Sequence, residues 1–272
     1  MYFYLRCTNT AFSIKLFMNT ENLLIPTVAV CAVRTEADHR SEMSSQLLLG
    51  EQVFLLDELP GWLKVRSVHD GYEGWCQAIQ LAALTGDTPA IAGYYSGHTG
   101  FANVNGQPMQ VFMGTPVYEG PVKAGVYDIR FTGLGFGYGN TPSLPVLVEA
   151  IAFRYLNTSY CWGGRTPAGI DCSGFAQMVY RQLGVHLLRD AWMQAGQGEE
   201  IGFLPEARCG DLAFFDEPDG RITHVGILLN DHEIIHASGK VRVDDIDHQG
   251  IISRDQGRRT HRLRLLRRIT AD

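Results

Sequence analysis

Several features are missing from this 272-residue sequence, and each absence argues against a class of function. The six cysteines contain no C-x-x-C pair and no cysteine–histidine cluster with metal-site spacing, so they predict neither a zinc module nor a disulfide framework. The formal net charge is -6 and no basic block with interleaved aromatic residues is present, which argues against a nucleic-acid surface. We therefore predict no metal, no cofactor and no nucleic-acid partner.

Long apolar runs are missing as well. The aromatic N-terminus, Met1 to Phe17, is interrupted by Arg6, Asn9 and Lys15, so it lacks the unbroken apolar core of a signal peptide. No stretch elsewhere has the length and composition of a transmembrane span. We expect a cytoplasmic monomer with no membrane partner; a periplasmic or secreted location would follow if Met18 is the true start or the chain is trimmed.

One cysteine is placed to be reactive. Cys172 follows Asp171, a natural N-cap, at the start of a predicted helix in which Phe175, Val179 and Leu183 fall on one face. A thiol on the first helical turn lies beside unpaired backbone N–H groups and the positive end of the helix dipole. Because both favour the thiolate, the sequence predicts Cys172 to be a nucleophile.

Two histidines are suited to serve this thiol. Residues 224–229 and 233–237 read as two strands joined by a turn at 230–232, with His224 on the first strand and His236 on the second. The two side chains have the same parity, so they should emerge on one face of the hairpin, opposite or diagonal to each other. One imidazole can then accept the thiol proton while the other fixes its tautomer.

The N-terminal half has a different pattern. From about Ile25 to Leu84, short apolar runs separated by turn residues predict a small all-β barrel. The glycine- and tyrosine-rich stretch that follows shows no helix periodicity, and it predicts either a second, degenerate barrel or a structured linker. Glycines at 133–139 mark a boundary, and a helix should open at Thr141 or Ser143. We predict three parts, 1–84, 85–142 and 143–272.

The motifs together resemble a known family. Five of them follow in order: Tyr160-Cys-Trp-Gly-Gly, Asp171-Cys-Ser-Gly-Phe, Gly210-Asp-Leu-Ala-Phe-Phe, His224-Val-Gly-Ile and Ile235-His-Ala-Ser. In this order they resemble the NlpC/P60 cysteine peptidases, and the landmarks between Val33 and Trp75 resemble the bacterial SH3-like module of cell-wall hydrolases. The resemblance implies a papain-like α+β catalytic domain behind one or two SH3-like barrels, which cleaves peptidoglycan peptides after γ-linked D-glutamate.

The resemblance also implies roles for individual residues. Carried over by position, Cys172 is the nucleophile, His224 the base and His236 the orienting residue. Tyr160 would lie near the thiol and assist an oxyanion site that also uses the Cys172 backbone N–H. The arrangement is similar to the dipeptidyl-peptidase VI branch, in which the barrel closes one end of the cleft and the free amino terminus of the substrate is held by acidic and tyrosine side chains.

Six positions match the substrate-binding residues of that branch: Asp171, Ser173, Arg189, Asp190, Glu42 and Tyr72. A buried ammonium needs a carboxylate nearby, because its desolvation would otherwise cost several kcal/mol. Simpler readings stay open, in which Asp171 and Asp190 are helix caps, Glu42 is a solvated barrel residue and Tyr72 is ordinary packing.

Three functions are compatible with these patterns. The leading one is a cysteine peptidase that releases L-Ala-γ-D-Glu from murein peptides with a free N-terminal L-Ala, as in cell-wall peptide recycling. The second is an endopeptidase that cuts stem peptides still attached to the wall. The third is a non-catalytic wall-binding protein, against which the intact Cys/His/His set argues. Papain-like amidases and acyltransferases share the nucleophile, so the sequence defines the chemistry better than the substrate.

Overall fold

A computed structural model describes residues 23–132, 135 and 144–270 of the chain. The predicted segment before residue 23, most of the predicted boundary at 133–139 and the predicted helix start at Thr141 or Ser143 lie outside these residues. Across the described ranges, no helix is long and apolar enough to cross a membrane.

The first part of the chain is an antiparallel seven-stranded sheet. Its strands are β1 (Leu23–Pro26), β2 (Val30–Arg34), β3 (Met43–Leu48), β4 (Val53–Leu59), β5 (Trp62–Ser67), β6 (Glu73–Gln77) and β7 (Leu81–Ala83). They pair in the order β3-β2-β6-β5-β4-β1-β7. Side chains alternate along each strand, so Cys31 and Val33 of β2 enter a small core together with Val65 and Cys76. The short apolar runs of the sequence therefore form the predicted strands.

The middle part also consists of strands. These are β8 (Ile91–Tyr94), β9 (Thr99–Val104), β10 (Gln107–Phe112), β11 (Pro116–Tyr118), β12 (Val122–Ala124) and β13 (Tyr127–Arg130). They form a four-stranded sheet, β10-β9-β13-β12, and a separate pair, β11-β8. Ile25 and Leu49 of the first part join their apolar core, so the two parts pack closely. The interpretation of this part as a second SH3-like barrel stays a prediction. The predicted boundaries at 84/85 and 142/143 also stay predictions.

The C-terminal part combines helices with a larger sheet. Its elements are α1 (Leu144–Arg154), β14 (Arg165–Thr166), β15 (Gly169–Ile170), α2 (Cys172–Arg181), α3 (Ala191–Gln194), β16 (Glu199–Ile201), β17 (Leu212–Asp216), β18 (Ile222–Leu228), β19 (Glu233–Ser238), β20 (Lys240–Asp247), β21 (Gly250–Ser253) and β22 (Arg258–Arg268). The sheet order is β16-β22-β17-β18-β19-β20-β21. Because β22 also pairs with β21, the sheet curls back on itself. The predicted α+β class is confirmed.

Helix α2 lies against one face of this sheet. Phe175 and Val179 of the predicted apolar face are fully buried in the core on this side of the sheet. Leu183, the third residue of the predicted face, lies beyond the end of the helix at Arg181 and is only partly buried. The same core contains Leu48 from β3 and Met113 from the middle part. The three parts of the chain thus share buried apolar surface, and the start of α2 is held at a junction between them.

Buried charges reinforce this junction. Arg165, on β14, donates to Glu51 at 3.0 and 3.2 Å and to the Gln46 carbonyl at 2.6 Å, while Arg181 of α2 pairs with the same carboxylate. Glu51 and both arginines are almost fully buried. A buried charge without a partner is strongly destabilising, so this cluster fixes the first part of the chain against the C-terminal part.

Candidate active site

Cys172, the predicted nucleophile, stands at the first position of α2. Asp171 precedes it with an extended backbone, and its Oδ1 accepts the backbone N–H of Gly174 at 2.6 Å. This is the predicted N-cap, which is confirmed. Cys172 is 6% exposed, so its side chain is almost withdrawn from solvent.

The surroundings of the thiol correct one expectation. Burial, and then the Asp171 carboxylate, raise the pKa of the Cys172 thiol to about 12, although backbone N–H groups of Val225 and Ser173 act in the opposite direction. The helix terminus, which supplies the Ser173 N–H, therefore does not by itself produce a thiolate as the sequence suggested. The thiol proton needs an acceptor, and Sγ lies 4.0 Å from the carbonyl oxygen of Thr223, the residue before His224.

The two predicted histidines meet on one face of the β18–β19 hairpin. Nε2 of His224 lies 2.8 Å from Nδ1 of His236, and the ring centroids are 5.0 Å apart. Gly226 is directly opposite His236, and a Cβ there would lie 2.9 Å from the His236 Cβ. The diagonal contact between the imidazoles thus needs glycine at 226. The predicted shared face is confirmed, whereas the catalytic roles of Cys172 and the two histidines stay predictions.

Two neighbours of the histidines were missed by the sequence reasoning. Oδ2 of Asp244 on β20 lies 3.1 Å from Nε2 of His236, and the ring of His261 on β22 stacks on that of His224 with centroids 4.2 Å apart. Burial, then His236 and His261, hold the pKa of His224 well below its usual range, so its imidazole is neutral and able to accept a proton. No motif marks either neighbour, because each reaches the site from a separate strand.

A cleft of about 520 Å³ lies in front of the thiol. The catalytic part contributes Tyr160 and Cys172 to its lining, and the first barrel contributes Glu42 and Tyr72. Burial, then the neighbouring thiol of Cys172, raise the pKa of the Tyr160 hydroxyl, which keeps it protonated as a donor. The structure thus brings all the predicted substrate-binding positions together with the thiol, since Asp171, Ser173, Arg189 and Asp190 also line the cleft.

Three of the predicted substrate-binding side chains are already bound to one another. Nη1 and Nη2 of Arg189 donate to Asp171 at 3.1 and 2.5 Å, and Nη1 also donates to Ser173 at 2.9 Å. Nε of the same arginine donates to Ser45 on β3 at 2.9 Å. Asp171 further accepts the Gly163 backbone N–H at 2.9 Å. This network neutralises Asp171 and ties the start of α2 to the first barrel.

Asp190 has a different environment. It occupies the N-cap position of α3 but makes no capping hydrogen bond with its side chain. Burial raises its pKa and outweighs the opposing effect of Arg189, while Tyr72 and Trp192 donate hydrogen bonds to it. Asp190 and Glu42 are therefore two carboxylates that border the cleft. Neither has a close guanidinium partner of the kind that Asp171 has.

Glu42 and Trp162 close one side of the cleft. The indole Nε1–H of Trp162 donates to Oε1 of Glu42 at 2.6 Å, which joins the catalytic part to the first barrel. Gly163 allows this approach, because it has φ +75° and a Cβ there would lie 2.3 Å from the Met43 carbonyl oxygen. Trp162 was not predicted as a site residue, although its place in the Tyr160 motif was a signal that could have identified it.

Within residues 23–132 and 144–270, no group of three or more His, Cys, Asp or Glu side chains is arranged to hold a metal ion.

Two family models match the chain. The model described as "NlpC/P60 family" matches residues 157–260, which include the thiol and the histidines, and the model described as "Bacterial dipeptidyl-peptidase Sh3 domain" matches residues 33–81. Each match falls on a part of the chain whose fold has been described above. Together they cover the two walls of the cleft.

Curated relatives extend over both parts. The dipeptidyl-peptidase 6 of Lysinibacillus sphaericus is 29% identical over 79% of this chain and 88% of its own length. The γ-D-glutamyl-L-lysine dipeptidyl-peptidase of Bacillus subtilis is 27% identical over 72% of each. A probable endopeptidase p60 of Listeria seeligeri is 38% identical over 38% of this chain, but that match spans only 20% of the relative.

A solved structure confirms the architecture. An NlpC/P60 family protein from Bacillus cereus superposes with a TM-score of 0.72 over 90% of this chain and 99% of its own, at 19% identity. The predicted fold, a catalytic α+β domain behind an SH3-like all-β domain, is therefore confirmed. Residues 157–260 belong to the NlpC/P60 family and residues 33–81 form a bacterial dipeptidyl-peptidase SH3 domain, so the chain is a cysteine peptidase of this family.

Proposed function

We propose that this peptidase hydrolyses the bond between γ-D-glutamate and an L-diamino acid in murein peptides with a free N-terminal L-Ala, and so releases L-Ala-γ-D-Glu. The observation that carries the proposal is the pair of carboxylates, Glu42 and Asp190, at the end of the thiol cleft that is bordered by the SH3 domain. These carboxylates would pair with the free ammonium of the substrate. A peptide that is acylated or extended at its N-terminus has no ammonium at that position.

The choice of carboxylates follows from their partners. Asp171 is neutralised by Arg189, so adding an ammonium there would compete with an existing buried ion pair. Asp190 has its pKa raised by burial, and a cation placed beside it would favour its charged form. We therefore propose Asp190 and Glu42 as the amine-binding residues, with Asp171 and Arg189 holding the start of α2 in place.

The proposed reaction begins with transfer of the Cys172 thiol proton to His224. The thiolate then attacks the γ-carbonyl carbon of D-glutamate, and the oxyanion that forms is stabilised by the Cys172 backbone N–H and the Tyr160 hydroxyl. Return of the proton to the leaving amine breaks the C–N bond and leaves a thioester. A water molecule, deprotonated by His224, hydrolyses the thioester and regenerates the thiol.

The names of two relatives support this substrate class. One is named a dipeptidyl-peptidase, and the other is named for the γ-D-glutamyl-L-lysine bond, and both matches extend across the SH3 domain and the catalytic domain. We propose that the enzyme is a monomer that recycles free murein peptides in the cytoplasm. Cell fractionation and size-exclusion chromatography test the location and the oligomeric state.

A second candidate is an endopeptidase that cuts stem peptides of the intact wall. It is favoured by the 38% identity, over 38% of this chain, to the Listeria seeligeri relative that is named a probable endopeptidase p60. Digestion of intact sacculi separates the two candidates, because a peptidase that requires a free L-Ala amine leaves the sacculi largely undigested.

The test of the free-amine requirement uses two matched peptides. Purified protein is incubated with L-Ala-γ-D-Glu-L-Lys and with its N-acetylated form, and the release of L-Lys is followed by chromatography. We expect cleavage of the first peptide and a loss of at least about tenfold in kcat/KM for the second, which corresponds to about 1.4 kcal/mol of transition-state binding. Equal cleavage of both peptides would contradict the proposed amine site.

A further inference from the structure

The pair of active-site histidines is extended by a third buried side chain. His236 uses Nδ1 toward His224 at 2.8 Å and Nε2 toward Asp244 at 3.1 Å, so both of its ring nitrogens are engaged. The exposed fractions of His224, His236 and Asp244 are 7%, 0% and 2%. The three side chains form one hydrogen-bonded row across β18, β19 and β20, almost without contact with solvent.

The strand register explains this row. On β18 and β19 Gly226 faces His236, and on β19 and β20 Ile234 faces Asp244. His224 lies two residues before Gly226, and His236 lies two residues after Ile234, so each contact in the row is a diagonal between neighbouring strands. Side chains two residues apart share a face, which places all three groups on the same side of the sheet.

Asp244 is a fixed hydrogen-bond acceptor. Its Oδ1 accepts Nη2 of Arg242 at 2.8 Å and the backbone N–H of Arg254 at 2.9 Å, which leaves Oδ2 for His236. Burial opposes ionisation of this carboxyl, but the hydrogen bonds from His236, Arg242 and the Arg254 backbone outweigh it and lower its pKa to about 2. An ionised carboxylate has no proton to donate, so the proton in the contact with His236 must reside on Nε2 of His236.

The proton positions along the row then follow. Burial lowers the pKa of His236 despite the opposing effect of Asp244, so its imidazole is neutral and carries a single proton. With that proton on Nε2, Nδ1 is bare and accepts Nε2–H of His224. His224 is also neutral, so its own Nδ1 is bare.

We infer that Asp244 is a positioning residue of the peptidase, which acts through His236 to keep Nδ1 of His224 unprotonated as the acceptor of the Cys172 thiol proton. The inference rests on the proposed function only for its substrate assay. When His224 becomes an imidazolium, the negative charge of Asp244 also stabilises it through the hydrogen-bonded ring of His236, as a buried carboxylate does in other nucleophile–histidine systems.

The variant Asp244→Asn tests the direction of the row. Arg242 and the Arg254 N–H both donate to the same oxygen, so the amide oxygen of asparagine is drawn to them and its NH₂ group faces His236. Nε2 of His236 must then accept, its proton moves to Nδ1, and His224 is forced to carry its proton on Nδ1. The substitution is nearly isosteric, yet it reverses every hydrogen bond in the row.

Asp211→Asn is the matched control. Asp211 is equally buried, accepts from an arginine side chain, Arg268, at 2.9 and 2.7 Å, and accepts the backbone N–H of Arg208 at 2.7 Å. Its contacts thus reproduce those of Asp244 on the arginine side, without a histidine partner. Any loss that comes only from breaking a buried Asp–Arg pair affects both variants alike.

Three measurements on the full chain decide the question. Nitrogen-15 NMR of the histidine rings reports which nitrogen of His224 carries the proton. The rate of Cys172 alkylation by iodoacetamide, followed by peptide mass spectrometry, reports removal of the thiol proton without any substrate. The third measurement is kcat/KM on L-Ala-γ-D-Glu-L-Lys. In Asp244→Asn we expect the His224 proton on Nδ1, alkylation at neutral pH slowed by at least about tenfold, and kcat/KM reduced by on the order of 10²-fold or more. Asp211→Asn should retain the wild-type tautomer and alkylation rate.

Two outcomes overturn the inference. An unchanged His224 tautomer in Asp244→Asn shows that Asp244 does not set it, whether or not activity falls. A reversed tautomer with wild-type alkylation and activity shows that the tautomer does not matter for proton removal. If the wild-type protein does not cleave the peptide, the proposed substrate is wrong, and the tautomer and alkylation measurements still decide the role of Asp244.

Discussion

Glu42 accepts the indole N–H of Trp162 at 2.6 Å, and through this contact the SH3 domain and the catalytic domain meet at the edge of the thiol cleft. The two residues are 120 positions apart in the chain. The contact orients the Glu42 carboxylate beside the cleft, where a substrate ammonium can approach it. Under the proposed function, this contact gives the SH3 domain a part in the choice of substrate.

The first prediction concerns the charge of Glu42. In Glu42→Gln the amide oxygen can still accept from Trp162, so the contact is retained while the negative charge is removed. We expect KM for L-Ala-γ-D-Glu-L-Lys to rise about tenfold, equivalent to about 1.4 kcal/mol, with kcat nearly unchanged. Glu58→Gln, at an exposed position of β4, should behave as the wild type. An unchanged KM in steady-state kinetics would remove Glu42 from the amine site.

The second prediction concerns the nucleophile. Cys172→Ala should lower kcat by at least about 10³-fold, because no other group can form the thioester. The side chain is small, so the midpoint of thermal unfolding should change little. Cys209→Ala removes a half-buried thiol that contacts only the Pro145 carbonyl among the hydrogen bonds of the described residues, and it should retain full activity. Undiminished cleavage by Cys172→Ala would favour a non-catalytic wall-binding role.

The third prediction concerns the pH dependence of activity. His224 must be neutral to accept the thiol proton, so kcat/KM falls as the pH falls through its pKa. Since burial, then His236 and His261, lower this pKa well below 6.5, the acid limb should lie below pH 6.5. His261→Ala uncovers the stacked face of His224 and removes one neighbour, which should move the limb toward pH 6.5. Profiles of kcat/KM between about pH 4 and 8 measure the shift.

The control for this profile is His248→Ala, because His248 is exposed and belongs to a turn between β20 and β21. It should leave the acid limb in place. If His261→Ala also leaves the limb in place, the ring of His261 does not influence the ionisation of His224, and the stacked contact is a matter of packing alone.

The fourth prediction concerns the buried charges at the domain junction. Glu51→Gln leaves Arg165 and Arg181 without their carboxylate and should lower the free energy of unfolding by about 3–5 kcal/mol. Glu73→Gln breaks surface pairs with Lys64 and Arg66 and should cost at most about 1 kcal/mol. Urea denaturation of both variants provides the comparison, and equal losses would show that the junction cluster is not specially stabilising.

The same cluster has a signature in acid. Burial opposes ionisation of Glu51, but Arg165 and then Arg181 outweigh it and lower its pKa below the usual 4.5. A carboxylate with a lowered pKa in the folded state contributes stability above its unfolded pKa and loses it as the pH falls through the folded value. Stability of the wild type should therefore decline below pH 4.5, and this decline should be weaker in Glu51→Gln.

Much of the catalytic hairpin and helix could be read from the sequence. The Asp171 cap, the apolar face of α2 and the shared face of His224 and His236 depend on residues at most 12 positions apart, where helix and strand periods fix the geometry. The order of the motifs added the family and the SH3 domain. These local rules had no means of showing that Asp171 is neutralised by Arg189, which lies on a separate segment.

The sequence by itself determined the thiol at a helix start, the two histidines of equal parity and the β-rich domain before them, and it predicted that the thiol and the histidines carry the chemistry. The tertiary structure decided how these groups are tuned. Asp244 orders the histidine protons from a third strand, Trp162 meets Glu42 across two domains, and burial raises the pKa of the Cys172 thiol to about 12. Desolvation and charge interactions depend on which distant segments come together, and only the packed chain fixes those distances.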